Sequence, residues 1–327
     1  MKKLTLFLFL LVSFGFQSAN NTLLSQPTSQ KESGQTETLR KNKPKVSFTF
    51  DDGITNDILS YKFEEWNSMI LSTLKAEELT AVFFVTGKNK LDKKGDFLLK
   101  SWSNDGHLIA NHTFTHPNFN NEKRSVKDFE QELLKTDTVI SQYKNYVKLF
   151  RFPYLKEGNT EEKISGFRSI LQKHGYKNGH VTIDASDWYI NGELIKCLQE
   201  EGLHSPKMEK YQAFYLEHIM ERANYYEKLA CELTNRNITH TLLLHHNLTS
   251  ALFLDDLIKK FKDEGWEVVD ADTAFQDKIF KSVPNVSPAG ESLIWSLAKA
   301  SGKYEDQLRY PAEDSRYEIP KMKKLGL

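Results

Sequence analysis

The stretch that decides the fold is Val46-Ser47-Phe48-Thr49-Phe50-Asp51-Asp52-Gly53. Its first five residues are β-branched, aromatic or small, which predicts a buried β-strand. Aspartate and glycine are common turn residues, so we expect the strand to end there. Taken alone, Asp-Asp-Gly is more often a plain turn than a functional site. Its position matters because parallel strands of an α/β barrel carry their chemistry at their carboxyl ends.

Strand-like and helix-like segments alternate downstream, as far as about residue 272. Short apolar runs predict strands, and apolar residues at helical spacing predict helices between them. The later predicted strands cover residues 80–85, 107–110, 147–150, 181–183, 241–244 and 266–269. Such alternation predicts parallel strands joined by crossover helices. Because five polar clusters follow predicted strand ends, we expect an α/β protein with a distorted (β/α) barrel.

Composition limits the class of protein. The chain has 327 residues, of which 39% are hydrophobic and 27% are charged, as expected of a folded protein. Its 44 basic and 44 acidic side chains give a formal net charge of zero. Nucleic-acid-binding proteins usually present a basic face, so we expect no nucleic-acid partner.

The N-terminus predicts export. Lys2 and Lys3 precede an apolar run from Leu4 to Phe16, and Ala19 is a small residue after it. This pattern describes a secretory signal peptide over residues 1–19, and the apolar run is too short to span a bilayer comfortably. We therefore expect a periplasmic or extracellular protein without a stable membrane anchor, with an uncleaved anchor as the alternative. Residues 20–44 are polar and predict a linker before a domain at 45–280.

The sequence His112-Thr113-Phe114-Thr115-His116 predicts a metal site. Residues four apart share one side of a helical turn, so both imidazoles can converge on one ion. With Asp52 they form a set of two histidines and one carboxylate, which leaves positions open for water and substrate. We expect a divalent metal, zinc first, with cobalt or nickel as alternatives. Asp51, on the opposite side of a regular strand, would then be free to take a proton.

Five motifs in order resemble those of the polysaccharide deacetylases, the NodB-homology enzymes of carbohydrate esterase family 4. They extend over roughly residues 45 to 272, and any one of them alone would be a weak signal. The motifs are Thr49-Phe50-Asp51-Asp52-Gly53, His112-Thr113-Phe114-Thr115-His116, Arg151-Phe152-Pro153-Tyr154, Asp184-Ala185-Ser186-Asp187-Trp188 and Leu242-Leu243-Leu244-His245. The resemblance implies a barrel of the NodB-homology type.

The resemblance also implies how the attacking side of the site works. Asp51 would be the general base that activates water, and Arg151 would pair with Asp51 and keep it ionised. Asp52, His112 and His116 would hold the metal. The backbone N–H of Tyr154 would donate to the oxyanion of the tetrahedral intermediate.

The remaining implied roles concern the leaving group and the acetyl pocket. His245 would be the general acid that protonates the leaving amine, and Asp187 would keep that imidazole protonated. Trp188 and Leu244 would line the acetyl pocket.

Two departures from the family pattern leave alternatives open. His246 follows His245 where the family commonly has aspartate, so His246 is the alternative acid, although only one of two strand neighbours faces the site. The chain also has a charged, helical insertion at residues 193–237, which we expect at the rim of the site. Residues 281–327 form a C-terminal extension, either packed on the domain or extending from it.

The expected function is hydrolysis of N-acetyl groups on an amino-sugar polysaccharide, either peptidoglycan or a chitin-like glycan. One alternative is a sugar O-acetyl esterase with the same site, since an ester needs less help from a general acid. Another is a glycan-binding module without turnover. Cys197 and Cys231 would permit a disulfide after export, and free thiols are an equal alternative.

Overall fold

The computed structural model describes residues 43–327. The predicted signal peptide and all but the last two residues of the predicted linker therefore lie outside the described residues. Among residues 43–327, no helix is both long and apolar enough to cross a membrane.

Within residues 43–327, seven parallel strands form the central sheet, and two further strands form a small antiparallel pair. In chain order the strands are β1 (Lys45–Asp52), β2 (Val82–Val85), β3 (Leu108–Asn111), β4 (Tyr146–Phe150), β5 (Lys156–Gly158), β6 (Lys177–Asn178), β7 (Thr239–His245), β8 (Glu267–Val268) and β9 (Ala289–Gly290). The sheet has the order β6-β4-β3-β2-β1-β7, β8 pairs with the start of β1, and β5 pairs with β9. The predicted α/β class is confirmed, and the sheet is a curled half-barrel.

The helices mostly follow the strands, as a crossover topology requires. In chain order they are α1 (Phe63–Ala76), α2 (Lys93–Asn104), α3 (Val126–Ile140), α4 (Glu161–Lys173), α5 (Asp187–Glu201), α6 (Met208–Thr234), α7 (Leu248–Asp263), α8 (Ala271–Ala274), α9 (Leu293–Ser301) and α10 (Ile319–Leu325). Caps explain several starts. Ser125 and Asp128 form a capping box at α3, and Asn247 caps α7 two residues after β7 ends.

The core under the sheet fixes the first motif. Phe50 stacks on Phe83 at 5.0 Å between ring centroids, and Phe83 stacks on Trp102 at 4.1 Å. Gly53 has a φ of +67°, and a Cβ at this position would lie 2.7 Å from the Trp102 ring. Both facts require glycine at this turn. The turn after the two carboxylates is therefore held in place by the core beneath it.

The predicted helical insertion, residues 193–237, forms the second half of α5 and all of α6. Helix α6 packs against α5, α7 and α9, and its buried side chains, such as Tyr215 and Ile219, belong to the main core. Cys197 and Cys231 are both free thiols. The insertion therefore contributes to the hydrophobic core of the domain and is not confined to its surface.

The C-terminal extension, residues 281–327, is packed on the domain. Strand β9 pairs with β5, with Gly290 opposite Lys156. The N–H of Leu293 donates to the carbonyl of Val181 at 2.7 Å, and Trp295 is only 4% exposed. Of the two expected arrangements, the packed one is observed.

Candidate active site

The side chains of Asp51 and Asp52, at the end of β1, both lie in one cleft, although the alternation of side chains along a strand predicts that they point in opposite directions. Asp51 is 2% exposed and pairs in register with Phe84 of β2 and His245 of β7. Asp52 has a φ of +75°, so the extended geometry ends at this residue. The expectation that the two side chains diverge is therefore wrong, because it assumed a strand that continues through Asp52. Both residues line the same cleft.

The two histidines converge through a non-helical turn. Thr113 and His116 have φ values of +67° and +57°, which correct the helical turn expected from their spacing. The side chain of Asn111 accepts from the Thr113 N–H at 3.0 Å, and Glu132 accepts from the N–H of Thr115 at 2.6 Å. These bonds hold the imidazole rings of His112 and His116 at 5.0 Å between centroids. Sequence reasoning missed Glu132, since α3 carries it in no recognisable motif.

The geometry of Asp52, His112 and His116 fits a divalent cation. Asp52 Oδ1 lies 3.5 Å from His116 Nε2 and 3.8 Å from His112 Nε2. Ligands bonded to zinc at about 2.0–2.1 Å stand at comparable separations from one another. His112 Nδ1 lies 2.9 Å from the carbonyl oxygen of Arg151 and donates to it. The unprotonated Nε2 is therefore free to face the cation.

Asp51 is the carboxylate beside this set and is held by a buried arginine. Arg151 Nη1 donates to Asp51 Oδ1 at 2.7 Å and also contacts Thr49 Oγ1 at 2.9 Å. The guanidinium lies 3.8 Å above the Phe84 ring, and its Nε donates to the carbonyl of Gly179. Burial lowers the pKa of Arg151 from its ordinary value. The arginine fixes one carboxylate oxygen of Asp51, and the other lies 3.6 Å from His112 Nε2.

His245 also lines the cleft, and it pairs with the buried Asp187. His245 Nδ1 lies 2.7 Å from Asp187 Oδ1, and the N–H of His245 donates to Asp187 Oδ2 at 2.8 Å. Asp187 is fully buried at the start of α5. Burial lowers the pKa of His245, but the Asp187 carboxylate more than offsets this effect and raises the pKa to about 10. The Asp187 carboxylate therefore favours the protonated form of His245.

His246, the alternative acid, lies in the hydrophobic core. Its ring centroid is 4.3 Å from that of Trp66, and its Nε2 lies 3.0 Å from the side-chain oxygen of Asn67. Burial lowers its pKa well below the ordinary value. The alternation of β7 thus points His245 into the cleft and His246 away from it. This geometry supports His245 as the candidate acid.

The same alternation corrects one predicted residue of the acetyl pocket. Leu244 is fully buried in the main core, whereas Leu243 lines the cleft on the same face as His245. Neighbouring residues of a regular strand point to opposite faces, so His245 and Leu244 could not both face the site. Trp188 and Tyr154 do line the cleft, and they are 48% and 57% exposed.

The complete cleft has a volume of about 430 Å³. One wall of it is contributed by the C-terminal extension, which was not predicted. The lining residues are Asp51, Asp52, His112, His116, Tyr154, Leu155, Lys156, Asp184, Trp188, Leu243, His245, Glu291, Pro311, Glu313 and Asp314. None of these lies in the insertion at residues 193–237, so its expected place at the rim is not observed. The segment at 309–314, dense in charge with an adjacent tyrosine and proline, was the available signal.

Comparison with known proteins agrees with this geometry. Residues 38–179 match the family model "Polysaccharide deacetylase". This range contains Asp51, Asp52, His112, His116 and Arg151, and it ends before Asp187 and His245. This part of the chain is therefore similar to the polysaccharide deacetylase family.

Two curated relatives are named as peptidoglycan deacetylases. A peptidoglycan-N-acetylglucosamine deacetylase of Bacillus cereus is 34% identical over 114 residues, which cover 35% of this chain and 37% of the relative. A peptidoglycan-N-acetylmuramic acid deacetylase of Bacillus subtilis is 26% identical over 184 residues, which cover 55% of this chain and 61% of the relative. In both cases the match spans less than two thirds of the relative's own length.

A solved structure supports the fold. A carbohydrate esterase family 4 pseudoenzyme from Bacillus anthracis superimposes with a TM-score of 0.51 at 20% identity, covering 72% of this chain and 66% of that one. At this identity the likeness concerns the architecture. The active-site interpretation rests on the residues described above.

Proposed function

We propose that this protein is an exported, metal-dependent hydrolase that removes N-acetyl groups from an amino-sugar polysaccharide. One observation carries the proposal. A three-ligand cation site, an ion-paired carboxylate and an aspartate-paired imidazole open into one cleft. Amide hydrolysis requires a nucleophile, a site that stabilises developing charge and a proton for a poor leaving group.

The residues divide these tasks between the two sides of the cleft. A divalent ion held by Asp52, His112 and His116 supplies Lewis acidity. Asp51 takes the proton from the attacking water, and Arg151 orients its carboxylate. The backbone N–H of Tyr154 donates to the oxyanion that develops on the acetyl carbonyl.

The second half of the reaction uses the other side. His245 donates its proton to the amine that leaves, and Asp187 holds the imidazole in position and keeps it charged. Trp188 and Leu243 provide apolar surface for the acetyl methyl group. A sugar O-acetyl esterase would require less of His245, because an alkoxide leaves more readily than an amine.

The substrate class follows from the relatives. They are named for deacetylation of peptidoglycan, a glycan located outside the cytoplasmic membrane, which agrees with the predicted signal peptide. Both peptidoglycan and chitin-like glycans carry the acetamide that the proposed chemistry attacks.

Acetate release from a panel of acetylated glycans tests this function. The panel contains N-acetylglucosamine oligomers, peptidoglycan and an O-acetylated xylan, each assayed with zinc and with a chelator. We expect release from the amide substrates only, and only with metal. Release from the xylan alone would identify an esterase, and absence of release from every substrate despite bound metal would indicate a binding module.

The Asp187–His245 pair predicts a specific pH dependence. The active form of His245 is protonated, and its pKa is raised to about 10, so this form persists below that pH and is lost above it. Replacing Asp187 with asparagine removes the charge that raises the pKa, so activity should begin to fall at a lower pH. The pH profile of kcat/KM on an N-acetylglucosamine oligomer measures this shift. An unchanged alkaline limb would exclude His245 as the titrating acid.

A further inference from the structure

The wall formed by the C-terminal extension is held firmly against the catalytic loops. The N–H of Glu291 donates to the carbonyl of Leu155 at 3.0 Å, directly after Tyr154. The carboxylate of Glu291 forms an ion pair with Lys156 and accepts from the N–H of Ala312 at 3.0 Å. Through these contacts Glu291 connects the segment around Ala312 to Leu155 and Lys156, which directly follow Tyr154.

Cations behind the wall neutralise its second glutamate. Arg222 Nη2 lies 2.6 Å from Glu313 Oε1, Arg309 lies against Glu313 Oε2, and the hydroxyl of Tyr226 donates to the same carboxylate at 3.2 Å. The side chain of Glu313 is only 3% exposed. Because these bonds satisfy Glu313, it serves chiefly to hold the wall in place.

Asp184 differs from the other carboxylates of the cleft. It is 7% exposed and lines the cleft, yet no side chain within residues 43–327 forms an ion pair or hydrogen bond with its carboxyl group. Burial, together with the nearby Glu313 and Glu291, raises its pKa well above the ordinary value. A buried polar group normally has a partner. A neutral carboxyl group here can both donate to and accept from a ligand hydroxyl.

Tyr310 places an exposed aromatic ring beside the same wall. It is 52% exposed, and its ring centroid lies 5.8 Å from that of the buried Trp295. Lys156, a cleft residue, lies with Nζ 5.4 Å from the Tyr310 ring, and the next residue, Pro311, lines the cleft. An exposed aromatic ring at the edge of a polar cleft is typical of ligand sites, which combine apolar surface with a few placed polar groups.

We propose that the C-terminal extension builds a second sugar subsite, in which Tyr310 stacks on an uncharged hexosamine unit of the glycan and Asp184 binds hydroxyl groups of the bound chain. This inference rests on the proposed function, because it assigns a neighbouring unit of the same polymer. The subsite favours units without a carboxylate, since Lys156, Arg222 and Arg309 are already paired with Glu291 and Glu313, and Asp314 is a further acidic side chain in the lining. It requires a substrate longer than one sugar.

Chain-length dependence tests the subsite. The rate of acetate release is measured on N-acetylglucosamine oligomers of one to six units, for the wild-type chain, Tyr310→Ala and Tyr310→Phe. We expect Tyr310→Ala to raise KM on the longer oligomers about tenfold with little change in kcat, as loss of one stacked aromatic contact implies. The shortest oligomers should be unaffected, and Tyr310→Phe should retain wild-type values. Val283→Ala, at an exposed position of the extension outside the cleft, is the matched control.

Other outcomes overturn the inference. Equal effects of Tyr310→Ala on short and long oligomers, or no effect, would exclude a stacking subsite, provided that thermal unfolding of the variant matches the wild type. The N-acetylglucosamine hexamer is also titrated calorimetrically into the wild-type protein and into Tyr310→Ala. Binding requires no turnover, so this measurement separates the subsite from the proposed function. Weaker binding by Tyr310→Ala without acetate release would support the subsite alone. Preference for an oligomer containing muramic acid over the uncharged one would contradict the uncharged unit.

Discussion

Replacing Asp51 with asparagine should lower the rate of acetate release about 10²- to 10⁴-fold, the usual contribution of a general base. Asparagine matches the shape of the side chain but cannot take the proton of the attacking water. The cation site should remain, because Asp52, His112 and His116 are unchanged. Release of acetate from an N-acetylglucosamine oligomer gives the rate, and zinc content after dialysis reports the cation site.

The control for this variant must account for stability. Asp51→Asn leaves the buried Arg151 without its ionic partner, and removing one member of a buried pair costs about 3–5 kcal/mol. Rates are therefore compared below the unfolding temperature of the variant. Asp57→Asn is the matched control, because Asp57 follows the same strand but pairs at the surface with Lys62. A rate within a few-fold of wild type for Asp51→Asn would exclude Asp51 as the base.

Replacing His116 with alanine should remove both the bound cation and the activity. The loss of affinity should exceed the 10- to 100-fold that follows loss of a residue supporting a ligand, because His116 is assigned as a ligand itself. His116 is partly exposed and lies in a turn, so its truncation should cost little stability. Zinc per chain, measured by elemental analysis after dialysis, checks the first part, and acetate release with a range of added zinc checks the second.

His174→Ala is the control for loss of an imidazole. His174 pairs with Glu130, and both residues lie outside the cleft. We expect this variant to keep its zinc and its rate. If His116→Ala also retained stoichiometric zinc, the assignment of the three ligands would be wrong.

The sequence predicted those parts of the protein that depend on local pattern. The apolar residues before Asp51 and the runs before His112 and His245 specified strands, and the alternation with helices specified their parallel arrangement. Parallel strands bring their carboxyl ends together, so residues far apart in sequence could be assigned to one site. The family resemblance then supplied the distinct roles of Asp51 and Asp52.

Features that depend on backbone detail or distant contacts could not be predicted in this way. Nothing in an Asp-Asp-Gly pattern reveals the left-handed conformation of Asp52, which turns both carboxylates into one cleft. Leu244 was misplaced although the period of two along β7 was sufficient to exclude it. The pairing of Gly290 with Lys156 joins residues more than a hundred positions apart, and a two-residue strand carries no periodic signal. The place of the extension in the wall of the cleft could therefore not be predicted from the sequence.

The pairing of β5 with β9 bears on the loop that carries Tyr154, the proposed oxyanion donor. Tyr154 and Leu155 are consecutive non-glycine residues in left-handed conformations, which cost about 1–3 kcal/mol each. Strand β9 can approach them only because residue 290 is glycine, since a Cβ there would lie 1.9 Å from the Leu155 carbonyl oxygen. The extension thus stabilises a strained loop before any glycan arrives. If the Tyr154 N–H is the oxyanion donor, as we propose, this packing would preorganise it and leave little reorganisation energy for the substrate to supply.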